Sequence, residues 1–92
     1  MASACARHIL VKSKFEAQSL KEKLAKGADF AQLAKKHSTC PSAKRGGDLG
    51  EFKAGTMVKA FDQIVFKKPL LEVHGPVKTK FGFHLIETIY RS

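Results

Sequence analysis

Tryptophan is absent from this sequence, tyrosine occurs once, and the only cysteines are Cys5 and Cys40. Two cysteines so far apart give neither the spacing of a metal site nor the density of a disulfide framework. A reducing, cytoplasmic compartment is therefore the expectation. No hydrophobic run approaches the roughly 20 residues needed to span a bilayer. The first residues, Met-Ala-Ser-Ala-Cys-Ala-Arg-His, carry no hydrophobic signal region, so no membrane span or export is expected. Acids are scarce as well: eight Asp and Glu against seventeen Lys and Arg leave a net charge of +9. Such an excess attracts nucleic acid, acidic proteins or anionic membranes. The basic residues are dispersed, however, as Lys35-Lys36, Lys44-Arg45, Lys67-Lys68, Lys78 and Lys80, with no nucleic-acid-binding motif. A solubilising surface is the expectation, and a polyanion contact the alternative.

What is present suits one globular domain over residues 1–92, with 43% apolar residues and seven phenylalanines to build a single core. The most unusual stretch is Cys40-Pro-Ser-Ala-Lys-Arg-Gly-Gly-Asp-Leu-Gly50. Pro41 has no amide hydrogen, and Gly46, Gly47 and Gly50 permit backbone angles closed to other residues, which excludes regular helix or strand. A loop of this kind can position side chains rather than merely connect elements, with Cys40 and Leu49 the residues it would present.

The remaining chain alternates strand and helix patterns. Cys5 to Val11 reads as a strand, with Ala6, His8 and Leu10 on one face and Arg7, Ile9 and Val11 on the other. Ser13-Lys-Phe-Glu16 has capping-box spacing and predicts a helix to about Lys26, ended by Gly27, with Ala17, Leu20 and Leu24 as its apolar stripe. Asp29-Phe-Ala-Gln32 repeats the start signal for a second helix that buries Phe30, Leu33 and Ala34 and stops near His37. Leu49 to Phe52 predicts a short strand. Val58 to Phe66 predicts a helix in which Met57, Phe61, Ile64 and Val65 recur at helical spacing, and Pro69 forbids extending it far. Gly75 to Thr79 and Gly82 to Tyr90 read as two closing strands; in the last, His84, Ile86 and Tyr90 share one face. The pattern is α+β with one mostly antiparallel sheet.

Several residues invite chemistry. His8 and His84 lie mid-strand among aliphatic neighbours, where an imidazole is costly unless its nitrogens are satisfied. Each reads singly as a hydrogen-bonded structural residue; together, on adjacent strands, they can bond to each other and orient a site. No carboxylates stand at ligand spacing from them, so neither metal nor other cofactor is expected. His37 and His74 read as surface residues. Cys40 is open to three readings: nucleophile, redox thiol, or small buried hydrophobe. Met57 and Phe61 fit a plain core. Phe81, beside Gly82 at a strand boundary, fits either core or the lining of a groove.

Taken together, His8-Ile-Leu-Val-Lys12, the Cys40–Gly50 loop, Met57 with Phe61, and Gly75-Pro-Val77 followed by Phe81-Gly-Phe-His84 resemble the parvulins. These are peptidyl-prolyl cis-trans isomerases, and the likeness, closest to small single-domain bacterial members, runs through essentially the whole chain. It implies a four-stranded antiparallel sheet surrounded by about four helices in the order βαααβαββ, with a short helix inside the loop before Gly46. It implies catalysis on proline-containing segments of client proteins, and a monomer without a cofactor is the expectation. It makes His8 and His84 the paired histidines under the site and Thr79 the hydroxyl joined to them, with Cys40 facing the peptide bond. Leu49, Met57 and Phe61 become the pocket for the proline ring, with Phe81 at a position that varies among members. Phosphate-selective members carry a basic loop after the first strand. Here Lys12-Ser-Lys14 passes almost directly into a helix, so an apolar or basic-tolerant preference is expected instead. A proline-binding docking module without turnover is the alternative within the same fold.

Overall fold

The computed structural model describes residues 2–92. Its elements follow as β1 (Ser3–Val11), α1 (Lys14–Ala25), α2 (Phe30–His37), a 3₁₀ turn (Pro41–Arg45), β2 (Asp48–Lys53), α3 (Lys59–Lys67), β3 (Val73–Thr79) and β4 (Gly82–Arg91). The four strands form one sheet in the order β2-β1-β4-β3, and every neighbouring pair is antiparallel. Three α-helices and the 3₁₀ turn complete the βαααβαββ order, so the short helix implied inside the glycine-rich loop is present. It begins at Pro41, whose missing N–H costs nothing at that position, and ends at Gly46 in the left-handed conformation.

Local chemistry sets the helix starts. The Ser13 hydroxyl accepts the Glu16 N–H at 2.9 Å, and the Asp29 carboxylate accepts that of Gln32 at 3.0 Å. Each satisfies a donor that the first turn leaves free, an arrangement worth about 1 kcal/mol. The alternation of β1 then divides the protein into two apolar layers. Ile9, Val11 and Leu85 face α1 and α2, where Ala17, Leu20, Phe30 and Ala34 are buried. Ala4, Ala6 and Ile86 face the other way, toward Phe52 on β2 and Phe61 and Val65 on α3. Arg7 opposes Glu87 across the β1–β4 ladder, pairs with it at 2.6 Å, and lays its guanidinium over the Phe30 ring at 4.5 Å.

Three expectations need correction. Tyr90 does not share a face with His84 and Ile86. Cys5 pairs with Tyr90 and Ala6 with Thr88, so Ile89 is the extra residue of a bulge and reverses the alternation beyond it. Tyr90 lies instead beside Glu51, to which its hydroxyl donates at 3.0 Å. Met57 stands before α3 rather than within it, preceding the cap residue Val58. β3 begins at Val73 rather than Gly75 and so takes in His74, whose Nε2 lies 3.0 Å from the Pro69 carbonyl.

Candidate active site

β1 and β4 are adjacent, and their register sets His8 opposite Ile86 and Leu10 opposite His84. The two histidines are therefore diagonal neighbours on one face of the sheet, a separation that long or aromatic side chains bridge. Their rings stack with centroids 5.1 Å apart and an interplanar angle of 17°, bringing Nδ1 to Nδ1 at 3.0 Å. That contact holds one proton: one nitrogen donates and the other accepts. Thr79 Oγ1, 2.7 Å from His84 Nε2, continues the chain and also accepts the Phe81 N–H at 3.1 Å. Either direction of proton order satisfies all these contacts and leaves one atom, the buried His8 Nε2, without a partner. Burial, reinforced by neighbouring His84, pushes the His8 pKa down from 6.5 to about 4. Burial lowers that of His84 too. The pair is neutral at physiological pH.

Above this pair opens a pocket of about 390 Å³. Phe61 stands edge-on to both imidazoles, at 5.5 Å from His8 and 5.7 Å from His84, and is itself 3% exposed. Leu49 and Met57 add apolar lining, and Cys40 and Phe81 line the same cavity, Phe81 remaining 59% exposed. The structure thus gathers His8, Cys40, Leu49, Met57, Phe61, Phe81 and His84 around one cavity, with Thr79 bonded to His84 from outside it. Leu10, Thr39, Pro41 and Val58 also line the cavity, and sequence reasoning passed over all four. Leu10 was placed on the His8 face, and that was its available signal.

The glycine-rich loop holds Cys40 there by replacing a missing strand. Pairing between β1 and β2 stops at Arg7. Beyond it, His8 donates its N–H to the Gly47 carbonyl at 3.0 Å, Leu10 donates to the Ser38 hydroxyl at 3.0 Å, and Thr39 donates to the Leu10 carbonyl at 2.8 Å. Ser38 Oγ also accepts the Cys40 N–H at 3.4 Å. The edge of β1 is satisfied by loop backbone, and its outward groups fix the loop that carries Cys40. Such close approach explains Gly47, which has φ +87° and lies so near β1 that a Cβ would overlap the His8 carbonyl oxygen. Among the described residues no cluster of three potential metal ligands occurs, and no helix is long and apolar enough to cross a membrane.

Residues 8–89 match the rotamase family model for the PPIC-type PPIase domain. This chain belongs to that family, the parvulins. Foldase protein PrsA of Geobacillus kaustophilus is 51% identical to this parvulin over 83 residues, which are 89% of this chain and 30% of the foldase. The chain thus spans about a third or less of the curated relatives it matches. Among solved structures, PrsA from Bacillus anthracis superposes with a TM-score of 0.96 at 36% identity, covering 99% of this chain and 42% of that one. The parvulin of Nitrosopumilus maritimus superposes at 0.87 with 41% identity, covering 98% of both chains. The parvulin sheet, with its antiparallel β1 and β4, is what sets the two histidines side by side under the pocket.

Proposed function

We propose that this parvulin is a peptidyl-prolyl cis-trans isomerase that rotates X–Pro bonds without covalent chemistry, assisting the folding or switching of client proteins. The observation that carries this reading is an apolar pocket of about 390 Å³ lined by a buried, neutral histidine pair. Rotation about the amide faces a barrier of about 18–20 kcal/mol because resonance must be broken. In the twisted transition state the carbonyl loses negative charge and the nitrogen regains its lone pair, so charge separation falls. A desolvated pocket favours that state over the planar, more polar amide, which is differential binding in the required direction. Leu49, Met57 and Phe61 hold the proline ring while the acyl side turns past Cys40 and Phe81. The sulfur of Cys40 places negative potential beside the carbonyl oxygen and disfavours the zwitterionic resonance form. His8, His84 and Thr79 hold the floor in one arrangement and tune its polarity.

The reading extends to preference and setting. β1 ends at Val11 and α1 begins at Lys14, with Lys12 and Ser13 between them, too short a connection for a basic loop. Lys12 and Lys14 are both exposed, and the enzyme does not require a phosphate before proline. It acts as a monomer in a reducing, cytoplasmic compartment, where Cys40 stays a free thiol. NMR exchange spectroscopy on a Leu-Pro peptide tests the activity: cis–trans exchange should accelerate in proportion to enzyme concentration. Saturable binding with exchange at its spontaneous rate would replace the enzyme with a docking module.

A further inference from the structure

A second groove, of about 420 Å³, opens on the far side of Met57. Met57 lines both cavities, so a single side chain separates this groove from the prolyl pocket. Its apolar walls are Met57 and Phe66, and its far bank is the Ala54–Gly55 turn. The Phe66 wall and the far bank are held in place. Phe66 packs edge-on against Phe52, with centroids 6.2 Å apart. The turn is tied to α3 by the Gly55 N–H, which donates to Asp62 Oδ2 at 2.6 Å. A groove whose sides are already fixed spends little ordering entropy on a ligand.

Charge defines the ligand further. Lys59 and Lys67, at the two ends of α3, line the groove on the helix face that Gln63 shares. No lysine is in an ion pair among the described residues. The one acid in the groove, Asp62, keeps its charge while its Oδ2 accepts the Gly55 N–H, and the two ammonium groups outnumber it, so the site is net positive. An apolar trough between free cations suits an apolar side chain that has a carboxylate beside it.

We propose that this groove is a second client subsite. It takes an aromatic or large aliphatic side chain next to an Asp or Glu, on the same segment as the proline being turned. An extended chain at ~3.3 Å per residue crosses the width of Met57 in roughly two to four residues, which sets the spacing from proline. This inference rests on the isomerase reading of the adjoining pocket and adds a client sequence preference to it. The subsite holds the client while the prolyl pocket acts, so it lowers KM and leaves kcat alone.

The test compares a Leu-Pro tetrapeptide with two nonapeptides that carry Phe-Glu or Phe-Lys three residues from the proline. The Phe-Glu peptide should show a KM about fivefold below the tetrapeptide, with equal kcat, and the Phe-Lys peptide should gain less. Ala54→Trp fills the groove from an exposed turn; it should erase the gain and leave tetrapeptide kinetics unchanged. Lys67→Glu should reverse the order of the two nonapeptides. Amide shifts report binding without turnover: Ala54, Gly55 and Gln63 should saturate with the Phe-Glu peptide and stay still with the tetrapeptide. Shifts without turnover would sink the isomerase reading and keep the subsite. Turnover with equal KM for all three peptides, or a gain that survives Ala54→Trp, overturns the subsite alone. A concentration-dependent dimer abolished by Ala54→Trp would assign the groove to a second copy of the chain and likewise overturn it.

Discussion

Lowering the pH from 7 to 4 should destabilise this domain through His8. Burial and the neighbouring His84 take the His8 pKa from 6.5 to about 4. In the unfolded chain the imidazole protonates near its ordinary value of about 6.5. Between those values the unfolded state binds the proton and the native state does not, so stability falls as pH falls. The contribution is complete above the unfolded value and exhausted once the pH passes below the native one. At about 1.4 kcal/mol per pH unit this amounts to about 3 kcal/mol. A domain of this size has on the order of 5–10 kcal/mol in total, so the loss is large. Burial lowers the His84 pKa as well, and its effect has the same sign. Urea midpoints measured at steps of pH for the native protein and for His8→Gln separate His8 from the carboxylates, which titrate in both. The native curve should descend toward the variant's as pH falls from 6.5 to 4. Parallel curves over that interval would refute a buried, neutral His8.

Gly47→Ala should cost at least about 2 kcal/mol, because φ is +87° and the new methyl overlaps the His8 carbonyl oxygen. A thermal melt within a degree of the native protein would contradict the loop-as-strand account. Thr79→Val removes the hydroxyl shared by His84 Nε2 and the Phe81 N–H; it should cost about 1–3 kcal/mol and lower kcat/KM, while Thr79→Ser restores most of both. Cys40→Asp should retain much of the isomerase rate if the sulfur acts through its potential. Complete inactivity with an unchanged fold, read by circular dichroism beside the exchange assay, would favour a covalent step instead.

The caps and periodicities were legible because they are local. Ser13 with Glu16 and Asp29 with Gln32 act within a single turn, and the alternation of β1 separates its two cores without outside help. The face of Tyr90 was not legible, because alternation assumes an unbroken ladder and the bulge at Ile89 exists only in the pairing with β1. Met57 matched the helical period yet sits just outside the helix, where it packs against the Phe61 and Val65 cluster and also lines the pocket. For the site, resemblance supplied what physics alone left open: it singled out Cys40 from three readings and introduced Thr79. Ser38 and Thr39 escaped because their role depends on the loop folding back onto β1 beyond the end of β2, a contact across 28 or 29 residues. Nothing in a dipeptide at a helix end announces that.

The histidine pair joins the stability argument to the catalytic one. A cation beneath the amide would favour whichever state carries more negative charge on the carbonyl oxygen, and that is the planar ground state. An imidazolium at His8 or His84 would therefore deepen the well from which the bond must climb. Burial of the two rings disfavours this charge, while the contact between the Nδ1 atoms, which accommodates one proton, excludes only the doubly protonated pair. The desolvation that makes His8 costly to bury is thus what keeps the pocket floor electrically quiet. It follows that kcat/KM should fall on acidification only as the native pair takes up a proton, well below the ordinary histidine range. A fall centred near pH 6.5 would mean that a solvent-like imidazole governs the rate, and the apolar account of the pocket would have to give way to proton transfer.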